Sequence, residues 1–167
     1  FLELVQPGGA TLPVLRWYAP AWLAWVVVGA LVTPTWIARA DPFEAFATAV
    51  ARMSPWARSP RGLLMWTDPM RNLAAWRAPR GLTVMASVLL GGTLFDALTN
   101  TSWWVRATQA MGDGRTLLAA VALLGCMALV LGLFRLGTLS YRGLTMDALA
   151  PGLVPLVVGY ALAHYGT

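Results

Sequence analysis

Lysine is absent from the 167 residues, and cysteine and histidine occur once each, as Cys126 and His164. A single cysteine excludes an intrachain disulfide and any multi-cysteine zinc or iron–sulfur centre built from this chain alone. Charge is scarce as well: charged residues make up 11% of the chain, against about 25% in soluble domains. The signatures of common chemistries are missing. There is no phosphate-binding loop, no dinucleotide glycine fingerprint and no His-Glu-x-x-His. Gly91-Gly92 lies inside an apolar run and reads as helix packing. Ser87, Ser102 and Ser140 have no base beside them in sequence, so a serine hydrolase triad has no support. Met65, Met70 and Met85 lack the clustered Met-x-x-Met pattern of a copper carrier and read as packing residues, as does Cys126.

Hydrophobic residues make up 58% of the chain, too many for a soluble domain of this length. They gather in long runs. A membrane-spanning helix needs about 20 apolar residues at 1.5 Å per residue. The first such run extends from about Trp17 to Ile37, with no charge between Arg16 and Arg39 and with Pro34 near its inner end. The second runs from about Leu82 to Leu98 and is uncharged until Asp96. Ser87 and Gly91 form a small-xxx-small pair in it, which lets another helix approach closely. The third, Thr116 to Phe134, carries no charge. The fourth starts near Leu149, and Pro151, Gly152, Pro155 and Gly159 make it an irregular helix. Phe1 to Val5 reads as the end of a preceding helix, stopped by Gln6-Pro7-Gly8-Gly9. The expectation is an all-α polytopic transmembrane bundle, one domain over residues 1–167, forming a piece of a longer chain.

The stretch 38–80 is different. Asp41-Pro42 and Asp68-Pro69 each place an N-cap acid before a proline at the first helical position. Glu44 sits where a capping-box acid belongs. Phe43, Phe46, Ala47 and Val50 form an apolar stripe after the first signal; Met70, Leu73, Ala74 and Trp76 follow the second. Arg52, Arg71 and Arg77 flank these stripes. Two short amphipathic helices at the membrane surface are predicted, with arginines at the headgroups. A surface for a partner protein is the alternative. Asn100 to Arg115 reads as a polar connection.

All twelve basic residues are arginine, and with seven acids the formal charge is +5. The arginines lie between apolar runs, which points to a membrane rim rather than to nucleic acid. Seven fall in 38–80 and two in 135–148, against Arg16, Arg106 and Arg115 on the other side. The positive-inside rule puts 38–80 and 135–148 in the cytoplasm. Tryptophans agree in depth. Trp17, Trp22, Trp103 and Trp104 fall near the outer interface, and Trp36, Trp56, Trp66 and Trp76 near the inner one.

This topology brings Glu3, Asp96 and His164 to roughly one depth, toward the outer ends of three segments. An acid at the centre of a span costs about 2.5–3.5 kcal/mol on insertion scales and less near the interface, so such residues usually face the protein interior. Asp96 and His164, with Glu3 or Tyr160 nearby, are candidates for a proton relay or a polar site. Asp96 and His164 are also the candidate metal ligands; no cofactor is expected, with a metal ion left open and, through His164, a pigment or haem. Plainer readings stand beside these. Asp96 reaches water or the 99–101 backbone, His164 is a hydrogen-bonded interior histidine, and Glu3 faces the headgroups.

Ala40-Asp41-Pro42-Phe43 follows a span. Phe95-Asp96-Ala97-Leu98 precedes Thr99, Thr101 and Trp103-Trp104. Leu153-Val154-Pro155-Leu156 leads to Tyr160 and Ala163-His164-Tyr165. In this order and spacing the chain resembles a large family of polytopic bacterial membrane proteins, common in actinobacteria and mostly uncharacterised. Some members carry an automatic label of fenitrothion hydrolase. The resemblance implies a bacterial cytoplasmic (inner) membrane protein with further helices on both sides. One histidine and scattered acids do not make the hydrolytic metal centre that the label suggests.

Three functional expectations follow. The first is a non-catalytic membrane subunit that packs against and stabilises a larger complex, with the lipid bilayer and other membrane subunits as partners and no nucleic acid. The second is a transport or proton-conducting unit using Asp96 and His164, whose Pro/Gly-broken fourth span is typical of substrate sites. The third is a membrane metal-handling enzyme with a site at the outer face.

Overall fold

A computed structural model describes residue 5 and residues 11–79, 81–139 and 145–166; the side chains at 39, 40, 113, 164 and 165 fall outside the description. The chain is mostly helical, and four stretches are long and apolar enough to cross a membrane: Leu12–Val32, Leu82–Thr99, Arg115–Leu139 and Met146–Ala163. The first three are single helices, α1 (Leu12–Val32), α5 (Leu82–Thr99) and α7 (Arg115–Leu139). The fourth is composite. It consists of α8 (Met146–Leu149), a 3-10 turn over Ala150–Leu153 and α9 (Val154–Tyr165). Pro151 and Pro155 lack the N–H that a continuous α-helix would use there, which accounts for the tightened segment.

Helix α1 ends sooner than the apolar run suggests. Thr33 is extended, with φ −141° and ψ 119°. A residue before proline is disfavoured in the helical region by a clash with the ring. Pro34 therefore separates α1 from the short α2 (Trp36–Ala40) rather than kinking one helix. Trp36 then folds back. Its indole lies over Gly29, the site of a missing Cβ, and meets Trp25 edge-on at 5.2 Å. At the other extreme, α7 continues beyond Phe134 through Arg135 to Leu139. Arginine is a good helix former and carries its charge on a long stem, so a charge at a span's end need not stop the helix. The connection after α5 is also more ordered than its polarity suggests. It holds α6 (Ser102–Ala110), which buries Trp104 and Thr108 one turn apart.

The chain divides into two units, one made of residues 1–37 and 87–133, the other of 38–86 and 134–167. In the first, Phe95, Trp104, Ala119 and Leu123 form the core with Val5. Here α5 and α7 touch through backbone. A Cβ on Gly91 would lie 2.5 Å from Met127 Cα and 2.7 Å from its N. The Ser87/Gly91 pair thus lies on a buried face of α5, with Ser87 fully enclosed.

The second unit contains α3 (Pro42–Ala51), α4 (Pro69–Ala74) and, between them, a hairpin of β1 (Trp56–Arg58) and β2 (Leu64–Trp66). Both Asp-Pro signals cap as their chemistry dictates. Asp41 accepts from the Phe43 amide at 2.9 Å and Asp68 from the Met70 amide at 2.8 Å. Glu44 does not close a capping box; it accepts from the Thr48 hydroxyl one turn on. The buried faces match the predicted stripes only in part, with Leu73 buried and Phe46, Val50 and Trp76 half-buried. Helix α3 buries Ala49 and leaves Phe43 and Ala47 exposed; α4 buries Leu73 and leaves Met70 and Ala74 exposed. Ala49 and Leu73 pack with Leu82, Ala150 and Val154, so both short helices are docked on the 3-10 turn and α9. The small Ala49 permits that approach; the bulky Phe43 would not.

The hairpin pairs Trp56 with Trp66 and Arg58 with Leu64 in antiparallel register. Its turn is Ser59-Pro60-Arg61-Gly62, closed by Gly62 N–H to Ser59 O at 2.9 Å, with Gly62 at φ 77°. Proline at the second turn position and glycine at the left-handed one were the sequence signals for this hairpin. Asn72 of α4 ties its base down, donating to Ser54 O at 3.1 Å and to Thr67 Oγ1 at 2.7 Å. Each such bond is worth about 0.5–1.5 kcal/mol net. Asn72→Ala is therefore expected to loosen the hairpin by about 1–2 kcal/mol. In detergent, tryptic cleavage after the exposed Arg58 and Arg61 should rise severalfold, while cleavage at Arg106 stays unchanged.

Candidate functional site

Asp96 sits in the last turn of α5, half-buried, in the first unit. Its backbone carbonyl is well used, accepting from Thr99 Oγ1 at 2.7 Å and Asn100 Nδ2 at 3.0 Å. These bonds cap the helix end. Among the described residues the Asp96 carboxylate has no hydrogen-bond or ion-pair partner.

The other candidates are placed unequally. Tyr160 is half-buried on α9 in the second unit. His164 lies on the same helix, but its side chain is outside the described residues, and Glu3 is outside them altogether. Among the described residues, no three His, Cys, Asp or Glu side chains gather closely enough to hold a metal ion. The polar contact that the structure does build is elsewhere. Thr83, buried near the start of α5, donates to Asp147 Oδ1 of α8 at 3.4 Å within the second unit. Sequence reasoning passed over this pair because 64 residues separate the two positions. Thr108 and Thr138, both buried, return their hydroxyls to carbonyls of the preceding turn. Among the described residues, no buried side-chain nitrogen or oxygen lacks a partner.

No protein-family model, no curated protein and no solved structure matches this chain. The resemblance drawn from the Asp-Pro-Phe, Phe-Asp and Ala-His-Tyr motifs therefore rests on those short motifs alone.

The tryptophans expected at the interfaces differ in burial. Trp17, Trp66 and Trp103 are exposed, and Trp22 is half-buried, stacked on Tyr18 at 6.4 Å. Trp76 is half-buried beneath the Arg52 guanidinium, 5.6 Å from the ring centre, a cation–π arrangement worth about 0.5–1 kcal/mol at an exposed site. Trp104 is a core residue. It is enclosed by α5 and α7 side chains and meets Phe95 edge-on at 5.5 Å. Adjacent tryptophans on a helix point about 100° apart, so when α6 docks, only one of Trp103 and Trp104 can remain outside.

Proposed function

We propose that this chain is a non-catalytic integral membrane subunit that packs against and stabilises a larger membrane complex. The observation that carries this reading is helix α1. Gly29 is its one buried residue, while Trp17, Leu23, Trp25, Val28 and Leu31 are all exposed. Lipid tails are as apolar as leucine, so helices associate in a bilayer through close packing rather than through the hydrophobic effect. A span with so little packing of its own gains most from a neighbouring protein. That every buried side-chain nitrogen and oxygen among the described residues has a partner fits a packing role as well.

The half-buried Asp96 carboxylate, without a partner among the described residues, and the 3-10 break at Ala150–Leu153 favour a second reading, a transport or proton-conducting unit. A photo-cross-linking residue at Leu31, compared with one at Leu139, separates the two. After mild-detergent extraction from the native membrane, the subunit reading expects one stoichiometric adduct with a larger membrane protein from Leu31. A chain that runs alone and forms no adduct at either position would overturn it. Asp96→Asn would then be the first variant to assay for flux in vesicles.

A further inference from the structure

The hairpin exposes large apolar side chains outside the candidate spans. A lone two-stranded hairpin is marginal in water, yet here Leu64 is 66% and Trp66 68% exposed, with Trp56 and Met65 also open. The register places Trp56, Trp66, Arg58 and Leu64 on one face, since partners across the ladder and residues two apart share a side. Trp56 and Trp66 meet edge-on at 5.0 Å, forming a rigid aromatic base. Toward the turn the same face becomes cationic. Arg58 reaches Gly62 O at 3.4 Å, and the exposed Arg61 lies in the turn itself.

Two further facts select the occupant. Residues 33–81 join the end of one candidate span to the start of the next, so the connection lies at a single membrane face. Stretch 38–80 holds seven arginines against Asp41, Glu44 and Asp68, a strongly positive balance. Tryptophan favours the boundary where one end of the ring is apolar and the other wet. Arginine matches phosphate with a planar fork of donors.

We infer that the Trp56/Trp66 hairpin is a lipid-docking element that rests Leu64 and the tryptophan pair in the bilayer interface while Arg58 and Arg61 bind the phosphates of anionic headgroups. Removing both arginines from near an anionic surface should weaken docking about thirtyfold.

Site-directed spin labelling tests this on the full chain. Cys126→Ser supplies the background and Leu64→Cys the nitroxide site, in nanodiscs of phosphatidylcholine with or without phosphatidylglycerol. The expected result is a label that collides more with oxygen than with a water-soluble nickel chelate, with the ratio rising severalfold when phosphatidylglycerol is present. Arg58→Gln with Arg61→Gln should reverse that rise; both side chains are exposed, and glutamine keeps them polar, so the hairpin itself should persist. A tryptic-cleavage pattern unchanged at Arg106 checks that the rest of the variant is folded. A label freely reached by nickel in both lipid mixtures would overturn the inference. So would a label shielded from both reagents, the signature of a protein contact. A ratio indifferent to phosphatidylglycerol and to the two arginines would overturn the phosphate assignment.

Discussion

Phe95→Ala is expected to destabilise the first unit by about 2–4 kcal/mol. Phe95 is fully enclosed, with Trp104, Ala119 and Leu123 around it. In soluble proteins, truncating a buried phenylalanine costs about 3–5 kcal/mol, partly for lost transfer from water and partly for the cavity left behind. Where the surroundings are lipid, the transfer part shrinks, because a side chain leaving the core enters an equally apolar medium. The cavity part remains, as does the edge-to-face pair with Trp104, worth about 0.5–1.5 kcal/mol. Unfolding in mixed micelles with increasing dodecyl sulfate, followed by tryptophan fluorescence, measures the effect. Phe95→Leu should recover about half of the loss, because it refills most of the cavity without the ring. A Phe95→Ala protein as stable as the parent would mean that α6 is not docked as described.

Gly91→Leu should prevent the first unit from assembling, whereas Gly125→Ala should be harmless or slightly stabilising. Both glycines lie in spans, but their surroundings differ. Any Cβ at Gly91 meets the backbone of Met127, and backbone cannot rotate away as a side-chain tip can. Overpacking costs about 1–3 kcal/mol when side chains can yield; alanine at 91 belongs at the upper end of that range and leucine beyond it. Gly125 has nothing within 4 Å of its missing Cβ. An interior helical glycine costs about 0.8–1.0 kcal/mol relative to alanine, so Gly125→Ala gains up to that amount. The same dodecyl sulfate titration should move in opposite directions for Gly91→Ala and Gly125→Ala. If both moved alike, the contact between α5 and α7 at this level would be wrong.

These two experiments probe features with different visibility in the sequence. The Ser87/Gly91 spacing pointed to a close helix contact but could not name Met127 as the partner. In the sequence Phe95 is marked only by its place in a Phe-Asp motif, where the acid is the more conspicuous residue. The structure reverses the emphasis: the phenylalanine is enclosed, and the Asp96 carboxylate stands half-open without a partner among the described residues. A charged residue in a span attracts notice because it is costly there; a buried aromatic among many apolar residues carries no comparable mark. The hairpin was missed for a similar reason. Its Ser-Pro-Arg-Gly turn is a legible signal, but the strands flanking it are three residues each, too short for period-two alternation to stand out against the helix-start signals on either side.

Local chemistry that a few neighbouring residues complete was decided by the sequence. Four apolar stretches, two Asp-Pro helix starts and the irregular fourth span follow from hydrocarbon thickness, from capping and from the missing proline N–H. Tertiary structure alone decided which face each element buries. Ala49 rather than Phe43 turns inward, and Trp104 rather than Trp103. Those choices depend on the shape of a surface contributed by residues far away in the chain, and a helix's own periodicity carries no record of it.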